Sequence, residues 1–126
     1  MSDTILIVED NRNNCTLLRD ILSFHGYEIA VGFDGNEGIE LARKLMPDLI
    51  LMDIQMPNMD GMTAASILKG DPVTKELKII ALTSFAMRGD KEKFLAAGFD
   101  DYLSKPISTR ELPDHVKRWL EKKEQP

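Results

Sequence analysis

Acidic residues stand at the ends of two apolar segments of this chain. Glu9 and Asp10 follow the run ILIV, and Asp53 closes the run DLILM. A carboxylate at the tip of a hydrophobic segment is costly unless it binds a partner or reacts. Clustered carboxylates repel and raise one another's pKa values, and a divalent cation relieves that repulsion. Mg²⁺ suits such a cluster because it takes a few carboxylates and retains several waters.

Lys105 and Thr83 add a cation and a hydroxyl to these candidate site residues. A lysine ammonium is a compact point charge for a phosphoryl oxygen, and a threonine hydroxyl can donate a hydrogen bond to the same group. An aspartate held between a metal and a lysine can attack phosphorus and form an aspartyl phosphate. The metal and the lysine would offset the charge of the equatorial oxygens in the transition state. The residue types therefore predict Mg²⁺-dependent phosphorylation of Asp53.

Five apolar runs of strand length must position these residues. They are TILIVE (4–9), EIAV (28–31), DLILMD (48–53), KIIALTS (78–84) and DDYLS (100–104). The first, third and fourth runs are almost continuously apolar, as in parallel strands that are covered on both faces. Segments of helical period separate the runs, and this β-α alternation predicts a parallel sheet with helices on both faces. Such sheets bind ligands at the carboxyl ends of their strands, where the candidate residues fall.

The helical segments carry apolar stripes that end at glycine or proline. The predicted stripes are Leu18, Ile21, Leu22 and His25 before Gly26; Leu41, Ala42 and Leu45 before Pro47; Met62–Leu68 before Gly70; Phe94, Leu95 and Ala97 before Gly98; and Leu112, Val116, Trp119 and Leu120. Ser108 and Glu111 have the spacing of a capping box before the last stripe. Pro113 would lose a backbone hydrogen bond within that helix, so the helix is expected to begin a turn later.

The composition favours one soluble, cytoplasmic domain over residues 1–126. The chain has 16 Lys and Arg against 21 Asp and Glu, a net charge of −5, which is unlike the basic footprint of a nucleic-acid-binding protein. Its single cysteine, Cys15, cannot form an internal disulfide, which suits a reducing cytosol. The N-terminal segment has the features of neither a signal peptide nor a membrane span. We therefore predict no nucleic-acid partner, no membrane partner and no output domain.

Four motifs together resemble the receiver domain of bacterial two-component response regulators, over essentially the whole chain. They are ILIVEDN with Glu9 and Asp10, DLILMDIQMPNMDG with Asp53, IIALTSFA with Thr83, and GFDDYLSKPI with Lys105. The resemblance implies a stand-alone receiver with a flavodoxin-like, doubly wound (βα)5 sheet of strand order 2-1-3-4-5. It also implies a partner that donates phosphoryl groups, either a sensor histidine kinase or a histidine phosphotransfer protein.

The resemblance assigns the acidic residues to metal binding and phosphorylation. Asp53 is the expected phosphoacceptor. Asp10, Asp53 and the backbone carbonyl of Gln55 are the expected Mg²⁺ ligands, and Glu9 is expected to act through water. Side chains at Gln55 and Phe85 are expected to tune dephosphorylation, and the bulk of Phe85 favours a slow loss of the phosphoryl group.

The resemblance assigns the other residues to a conformational switch. Lys105 is expected to pair with the phosphoryl group, and its bond to Pro106 is expected to be cis. Thr83 and Tyr102 are expected to move toward that group and to couple it to an α4-β5-α5 face. That face would contact a downstream protein, from a monomer or a weak phosphorylation-dependent dimer. Tyr102 is almost as well explained as a tyrosine at the edge of the core.

Two other functions remain open on sequence grounds. A Mg²⁺-dependent phosphatase with an aspartyl nucleophile begins its reaction in the same way. Such enzymes place a second acid two residues after the nucleophile, and this chain has Gln55 there. A pseudo-receiver that binds partners without phosphorylation usually lacks the acidic pair, the aspartate or the lysine, and this chain has them all. The phosphorylated switch or relay is therefore the favoured interpretation.

Overall fold

Five parallel strands form the centre of the computed structural model, which describes residues 3–84 and 90–124. The strands are β1 (Thr4–Val8), β2 (Glu28–Gly32), β3 (Leu49–Asp53), β4 (Ile79–Thr83) and β5 (Asp101–Ser104). The helices are α1 (Arg12–Phe24), α2 (Gly35–Leu45), α3 (Gly61–Gly70), α4 (Asp90–Ala97) and α5 (Leu112–Glu124). The sheet order is β2-β1-β3-β4-β5, and every neighbouring pair is parallel. The predicted doubly wound fold and strand order are confirmed. Phe85 lies outside the described residues.

The continuous apolar runs are explained by two cores, one on each face of the sheet. In β1, Leu6 and Val8 pack with residues of α2, α3 and α4, whereas Ile5 and Ile7 pack with residues of α1 and α5. All these strand side chains are fully buried. Because adjacent strand residues point to opposite faces, both sets must be apolar when helices cover both faces.

The predicted helix signals hold at three boundaries. Gly26 and Gly98 adopt φ of +92° and +110° after α1 and α4, which is the backbone conformation that glycine favours at helix ends. Before α5, the backbone N–H of Glu111 donates to Ser108 Oγ at 3.3 Å. The helix begins at Leu112, one turn later than the capping-box spacing alone would place it.

The predicted stripe of α2 is confirmed at Ala42, which is fully buried, but it is wrong at Leu45. Leu45 is 40% exposed and Leu41 is only partly buried. The other buried positions of α2 are Gly35, Gly38 and Ile39, which were not predicted. A Cβ at Gly38 would meet Val8 side-chain carbons at 2.8 Å, so this helix packs on β1 through a glycine. Because glycines give no hydrophobic signal, the sequence pattern indicates Leu41 and Leu45 and does not indicate Gly35 and Gly38.

Two further stripe positions are corrected at helix ends. His25 is the C-cap residue of α1 and is exposed, rather than a member of the buried face. Leu95 of α4 is 46% exposed, because Phe94 occupies the buried position of this short helix. The stripe of α5 is confirmed, since its four apolar residues are all buried.

None of the helices within the described part of the chain has the length and hydropathy of a membrane span.

Candidate functional site

The carboxyl ends of β1 and β3 bring three acidic side chains together. These strands are direct neighbours, with Val8 opposite Met52 in the register. The residues that follow are Glu9 and Asp10 on one side, and Asp53 ends the other strand. One carboxylate oxygen from each of the three lies within 4.8 Å of the others. The convergence expected from strand ends is therefore observed for the acidic group.

Lys105 joins this cluster from the segment after β5. Its Nζ lies 2.8 Å from Glu9 Oε1 and 3.0 Å from Asp53 Oδ2. The peptide bond between Lys105 and Pro106 is cis, as the resemblance implied. The backbone N–H of Lys105 donates to the carbonyl oxygen of Thr83 at 2.7 Å, which ties this segment to the end of β4. One ammonium thus bridges two of the three carboxylates.

Burial makes these charges interact strongly. Glu9 is 0% exposed and Asp53 is 4% exposed, whereas Asp10 is exposed to solvent. Partial desolvation and a hydrogen bond with Glu9 raise the pKa of Asp10 above its usual range, even though its side chain reaches solvent. Desolvation by itself lowers the pKa of Lys105, but hydrogen bonds to Glu9 and Asp53 outweigh it, and that pKa is raised. A positive charge beside Asp10 would therefore stabilise its ionised form.

The loop after β3 fixes the orientation of Asp53. The backbone N–H of Gln55 donates to Asp53 Oδ1 at 3.1 Å, so the two carboxylate oxygens face different partners. Gly61 opens α3 and donates its N–H to the carbonyl oxygen of Ile54 at 2.8 Å. A Cβ on Gly61 would collide with the carbonyl oxygen of Asp53. The absence of a side chain at Gly61 lets α3 start directly against the end of β3. The metal-ligand role of the Gln55 carbonyl stays a prediction.

Thr83 and Tyr102 lie on the two strands beyond Asp53. Thr83 is the last residue of β4 and is 2% exposed, and the preceding residue pairs with Asp53 in the β3–β4 register. Tyr102 lies on β5 and is partly buried. Its ring packs on Phe94 of α4, with the ring centroids 5.6 Å apart. The structure therefore places Tyr102 between the sheet and α4, and the switching role of both residues stays a prediction.

Glu9 has two partners at the start of α1 that were not predicted from the sequence. Asn14 Nδ2 donates to Glu9 Oε1 at 3.1 Å, and the backbone N–H of Asn11 faces Glu9 Oε2 at 3.4 Å. Asn11 is also the N-cap residue, because its side chain accepts a hydrogen bond from the backbone N–H of Asn14. The N-cap signal was readable in the sequence, since Asn precedes the helix by one residue. The sequence does not show that the Asn14 side chain turns back toward Glu9.

A pocket of about 350 Å³ adjoins the cluster, between α1 and the segment after β5. Its charged lining residues are Glu9 and Lys105. Its apolar lining residues include Leu17 and Ile107, which we call the apolar rim. Leu17 is 48% exposed, although it is a large apolar residue. Charged and apolar side chains therefore line the same pocket, a combination that suits an amphipathic partner.

The donor set fits a hard divalent cation. Three carboxylates supply oxygen ligands, and oxygen is what Mg²⁺ coordinates in proteins. Asp10 carries most of the solvent exposure of this cluster, so a cation could keep several waters on that side. The raised pKa of Asp10 also fits, because the charge of a bound cation would offset the desolvation and the contact with Glu9 that disfavour its ionised form.

Comparisons with known proteins agree with this geometry. The family model described as the response regulator receiver domain matches residues 5–117. The chain belongs to the response regulator receiver family. The polar-differentiation response regulator DivK of Brucella ovis is 42% identical to this receiver over 120 residues, which cover 95% of this chain and 98% of that protein.

Solved receiver structures share the same architecture. The receiver domain of the sensor histidine kinase PA1611 from Pseudomonas aeruginosa is 36% identical, with a TM-score of 0.87 over 96% of this chain and 99% of that one. That structure holds a magnesium ion coordinated in its active site cleft. A CheY-like receiver domain protein from Methanospirillum hungatei is 29% identical, with a TM-score of 0.90 over 98% of each chain. This protein is therefore a receiver domain of two-component signalling.

Proposed function

We propose that this receiver acts as a phosphorylation-dependent switch or relay in which Asp53 is the phosphoacceptor. The observation that supports this most directly is the position of Asp53, which is 4% exposed and lies between Lys105 and the carboxylates of Glu9 and Asp10. A buried aspartate that merely ended a strand would not need both a lysine and two further acids around it.

The donor is a phosphohistidine of a sensor kinase or of a histidine phosphotransfer protein. A carboxylate oxygen of Asp53 attacks phosphorus, the new O–P bond forms, and the N–P bond of the donor breaks. The electron pair of that bond returns to the imidazole nitrogen. Lys105 provides a positive charge within hydrogen-bond distance of Asp53 and is placed to pair with the transferred phosphoryl oxygens. The domain promotes its own phosphorylation and does not turn over external substrates.

Asp10, Asp53 and the carbonyl of Gln55 would hold Mg²⁺, with Glu9 acting through water. When bound, the cation neutralises charge on the phosphoryl oxygens and between the carboxylates. Gln55 stands where aspartyl-nucleophile phosphatases carry a second acid, so this chain lacks the usual group for releasing product. This favours a lasting phosphoryl state over phosphatase turnover.

The signal leaves the site through Thr83 and Tyr102. The buried Thr83 lies next to the β3–β4 pairing at Asp53 and also contacts the Lys105 segment through its carbonyl oxygen. The Tyr102 ring packs on Phe94, so a shift of this ring would be passed to α4. The α4-β5-α5 face is therefore the proposed contact surface for a downstream protein.

The pocket beside the cluster supports docking of the donor protein on α1. Lys105 lines this pocket, and so does Leu17 of the apolar rim, which is 48% exposed. An apolar helical surface that carries the phosphohistidine could cover this rim while the imidazole reaches Asp53. We place the protein in the cytoplasm, where such kinases present their phosphohistidine, without nucleic-acid or membrane contacts.

The decisive experiment is incubation of the full chain with Mg²⁺ and acetyl phosphate, followed by intact-mass spectrometry. A single phosphoryl adduct is expected, and Asp53→Asn should abolish it. Asp60→Asn is the matched control, because Asp60 is an exposed aspartate near the site and asparagine can replace it as N-cap of α3. An unmodified wild type would instead favour a pseudo-receiver. Rapid hydrolysis of many phosphate esters would favour a phosphatase.

Phosphotransfer profiling then identifies the donor class. Purified histidine kinases and phosphotransfer proteins of the host are loaded with labelled phosphate and mixed with the receiver. Transfer to wild type that is lost in Asp53→Asn supports the proposal. Leu17→Asp should slow transfer from the protein donor and leave labelling by acetyl phosphate unchanged, because only the protein donor needs the apolar rim.

A further inference from the structure

The carboxylate of Glu9 is held from two sides. Lys105 Nζ donates to Oε1 at 2.8 Å, and Asn14 Nδ2 donates to the same oxygen at 3.1 Å. The backbone N–H of Asn11 faces the other oxygen at 3.4 Å. Because Glu9 is 0% exposed, bulk water cannot readily replace a donor that is lost. The orientation of this carboxylate therefore depends on the first turn of α1 as well as on Lys105.

The hydrogen bonds at the start of α1 differ from those of the usual capping box. In a capping box, the side chain of the third helical residue turns back to the backbone N–H of the N-cap residue. Asn14 is the third residue of α1, and Asn11 is its N-cap. Here the Glu9 carboxylate faces the N–H of Asn11, and the Asn14 side chain turns back to Glu9 instead. The first turn of α1 therefore makes two of its N-terminal hydrogen bonds to Glu9, a residue of the acidic cluster.

We propose that Asn14 is a positioning residue that sets the affinity of the acidic cluster for Mg²⁺ by fixing the Glu9 carboxylate. The inference rests on the proposed function only in taking Mg²⁺ as the occupant of this site. An ionised carboxylate only accepts hydrogen bonds, so the amide nitrogen of Asn14 must face it. The amide is neutral and donates without adding a second charge, which leaves Lys105 as the cation of the cluster.

The effect of Asn14 extends to the phosphoacceptor through one shared cation. Lys105 Nζ contacts Glu9 Oε1 and, at 3.0 Å, Asp53 Oδ2. If Glu9 rotates after Asn14 is lost, Lys105 must either follow it or move closer to Asp53. Either movement changes the spacing of the three carboxylates. Outer residues that orient metal ligands typically change metal affinity 10- to 100-fold when removed, so we expect Asn14→Ala to weaken Mg²⁺ binding by about tenfold.

The test is calorimetric titration of the full chain with Mg²⁺ alone, without a phosphodonor. Four proteins are compared: wild type, Asn14→Ala, Asn14→Gln and Asn13→Ala. Asn14→Gln keeps an amide donor on a longer side chain, and its Kd should stay within about threefold of wild type, well short of the loss expected for alanine. Asn13→Ala changes the exposed neighbour in the same turn and should bind Mg²⁺ as wild type does. A denaturation midpoint for each variant shows that the folded protein is titrated.

A second measurement uses the wild type alone and does not depend on the folding of any variant. The side-chain amide resonances of Asn14 should shift during the Mg²⁺ titration, with the same midpoint as the calorimetry. The inference is overturned if these resonances stay unchanged, if Asn14→Ala binds Mg²⁺ as tightly as wild type, or if wild type binds no Mg²⁺ at millimolar concentrations. It is also overturned if alanine at positions 13 and 14 weakens binding equally. Failure of Asp53 to accept a phosphoryl group, with the Mg²⁺ results as expected, would overturn only the proposed function.

Discussion

Lys105 contacts Glu9 at 2.8 Å although the two residues are 96 positions apart in the sequence, and this contact joins the segments that follow β1 and β5. Glu9 is fully buried, and Lys105 is mostly so, with 19% of its side chain exposed. The same ammonium contacts Asp53 at 3.0 Å. One ammonium charge therefore faces two carboxylates.

Replacing Lys105 by methionine should destabilise the protein and prevent efficient phosphorylation. The change leaves the buried carboxylate of Glu9 without its cation, and breaking a buried ion pair from one side costs about 3 kcal/mol. Arg43→Met is the control, since Arg43 pairs with Asp71 at the surface with 49% of its side chain exposed. Such a pair contributes less than about 1 kcal/mol. Urea denaturation of both variants measures the difference, and equal losses would contradict the burial argument.

The raised pKa of Lys105 also predicts an alkaline loss of stability. A lysine whose pKa is raised on folding stabilises the native state fully below its ordinary value of 10.5, and this contribution is lost as pH rises through the higher native value. In metal-free buffer, the stability of the wild type should therefore fall toward that of Lys105→Met above pH 10.5. Denaturation midpoints measured at a series of alkaline pH values provide the test. A difference between the two proteins that stays constant with pH would argue against the assignment.

The start of α3 should not tolerate a side chain. Gly61→Ala would place a Cβ against the carbonyl oxygen of Asp53, and overpacking of this kind costs about 1–3 kcal/mol. Because the displaced carbonyl group belongs to Asp53, the proposed phosphoacceptor, labelling by acetyl phosphate should also slow. Gly70→Ala in the same helix is the matched control, since a Cβ there meets nothing within 4 Å. Thermal denaturation and labelling rates of the two variants check this, and equal behaviour would show that the close approach at Gly61 is unimportant.

The fold was readable from the sequence because continuous apolar runs and helix-end glycines are local signals. The phase of α2 was not readable, since Gly38 makes its key contact with β1 through the absence of a side chain. The same limit applied at the site. Strand ends predicted that Glu9, Asp53 and Lys105 would converge, because the parallel topology brings those ends to one edge. The sequence could not show how Lys105 divides its hydrogen bonds, or that Asn14 turns back to Glu9, because both depend on side-chain orientation.

Asp10→Asn should stabilise the metal-free protein at neutral pH. Desolvation and the hydrogen bond with Glu9 raise the pKa of Asp10, so folding disfavours its ionised form. The stability gained from this group is present below its ordinary value of 3.8 and is lost as pH rises through the higher native value. Asparagine removes that loss, and, since Asp10 is a proposed Mg²⁺ ligand, it should also remove the stabilisation that we expect Mg²⁺ to give to wild type.

Melting temperatures with and without Mg²⁺ measure both effects of Asp10→Asn. Asp34→Asn is the control, because asparagine can replace Asp34 as the N-cap of α2 and keeps the hydrogen bond to the backbone of Glu37. This control should respond to Mg²⁺ as the wild type does. A metal-free Asp10→Asn protein that melts below wild type would contradict the predicted sign.

Cys15 should be almost unreactive in the native protein, although it lies next to the site. Its side chain is 4% exposed, and its thiol donates to the backbone carbonyl oxygen of Glu9 at 3.1 Å. Burial, followed by the nearby charge of Glu9, raises the pKa of this thiol from 9.0 to about 11. Near pH 8 the thiolate fraction should therefore be about a hundredfold lower than for an ordinary cysteine. Because Cys15 is the single cysteine, the labelling rate of the chain reports on this site alone.

A thiol reagent in excess at pH 8 tests this with and without urea. Labelling should be slow in native buffer, because reaction of the buried thiol requires opening of the first turn of α1. Denaturant promotes this opening and should accelerate the labelling. The protein unfolded in concentrated urea is the control and should react at the rate of a free cysteine. If the native protein reacted equally fast, Cys15 would be accessible, and the packing of α1 against the residues that follow β1 would be looser than the contact at Glu9 indicates.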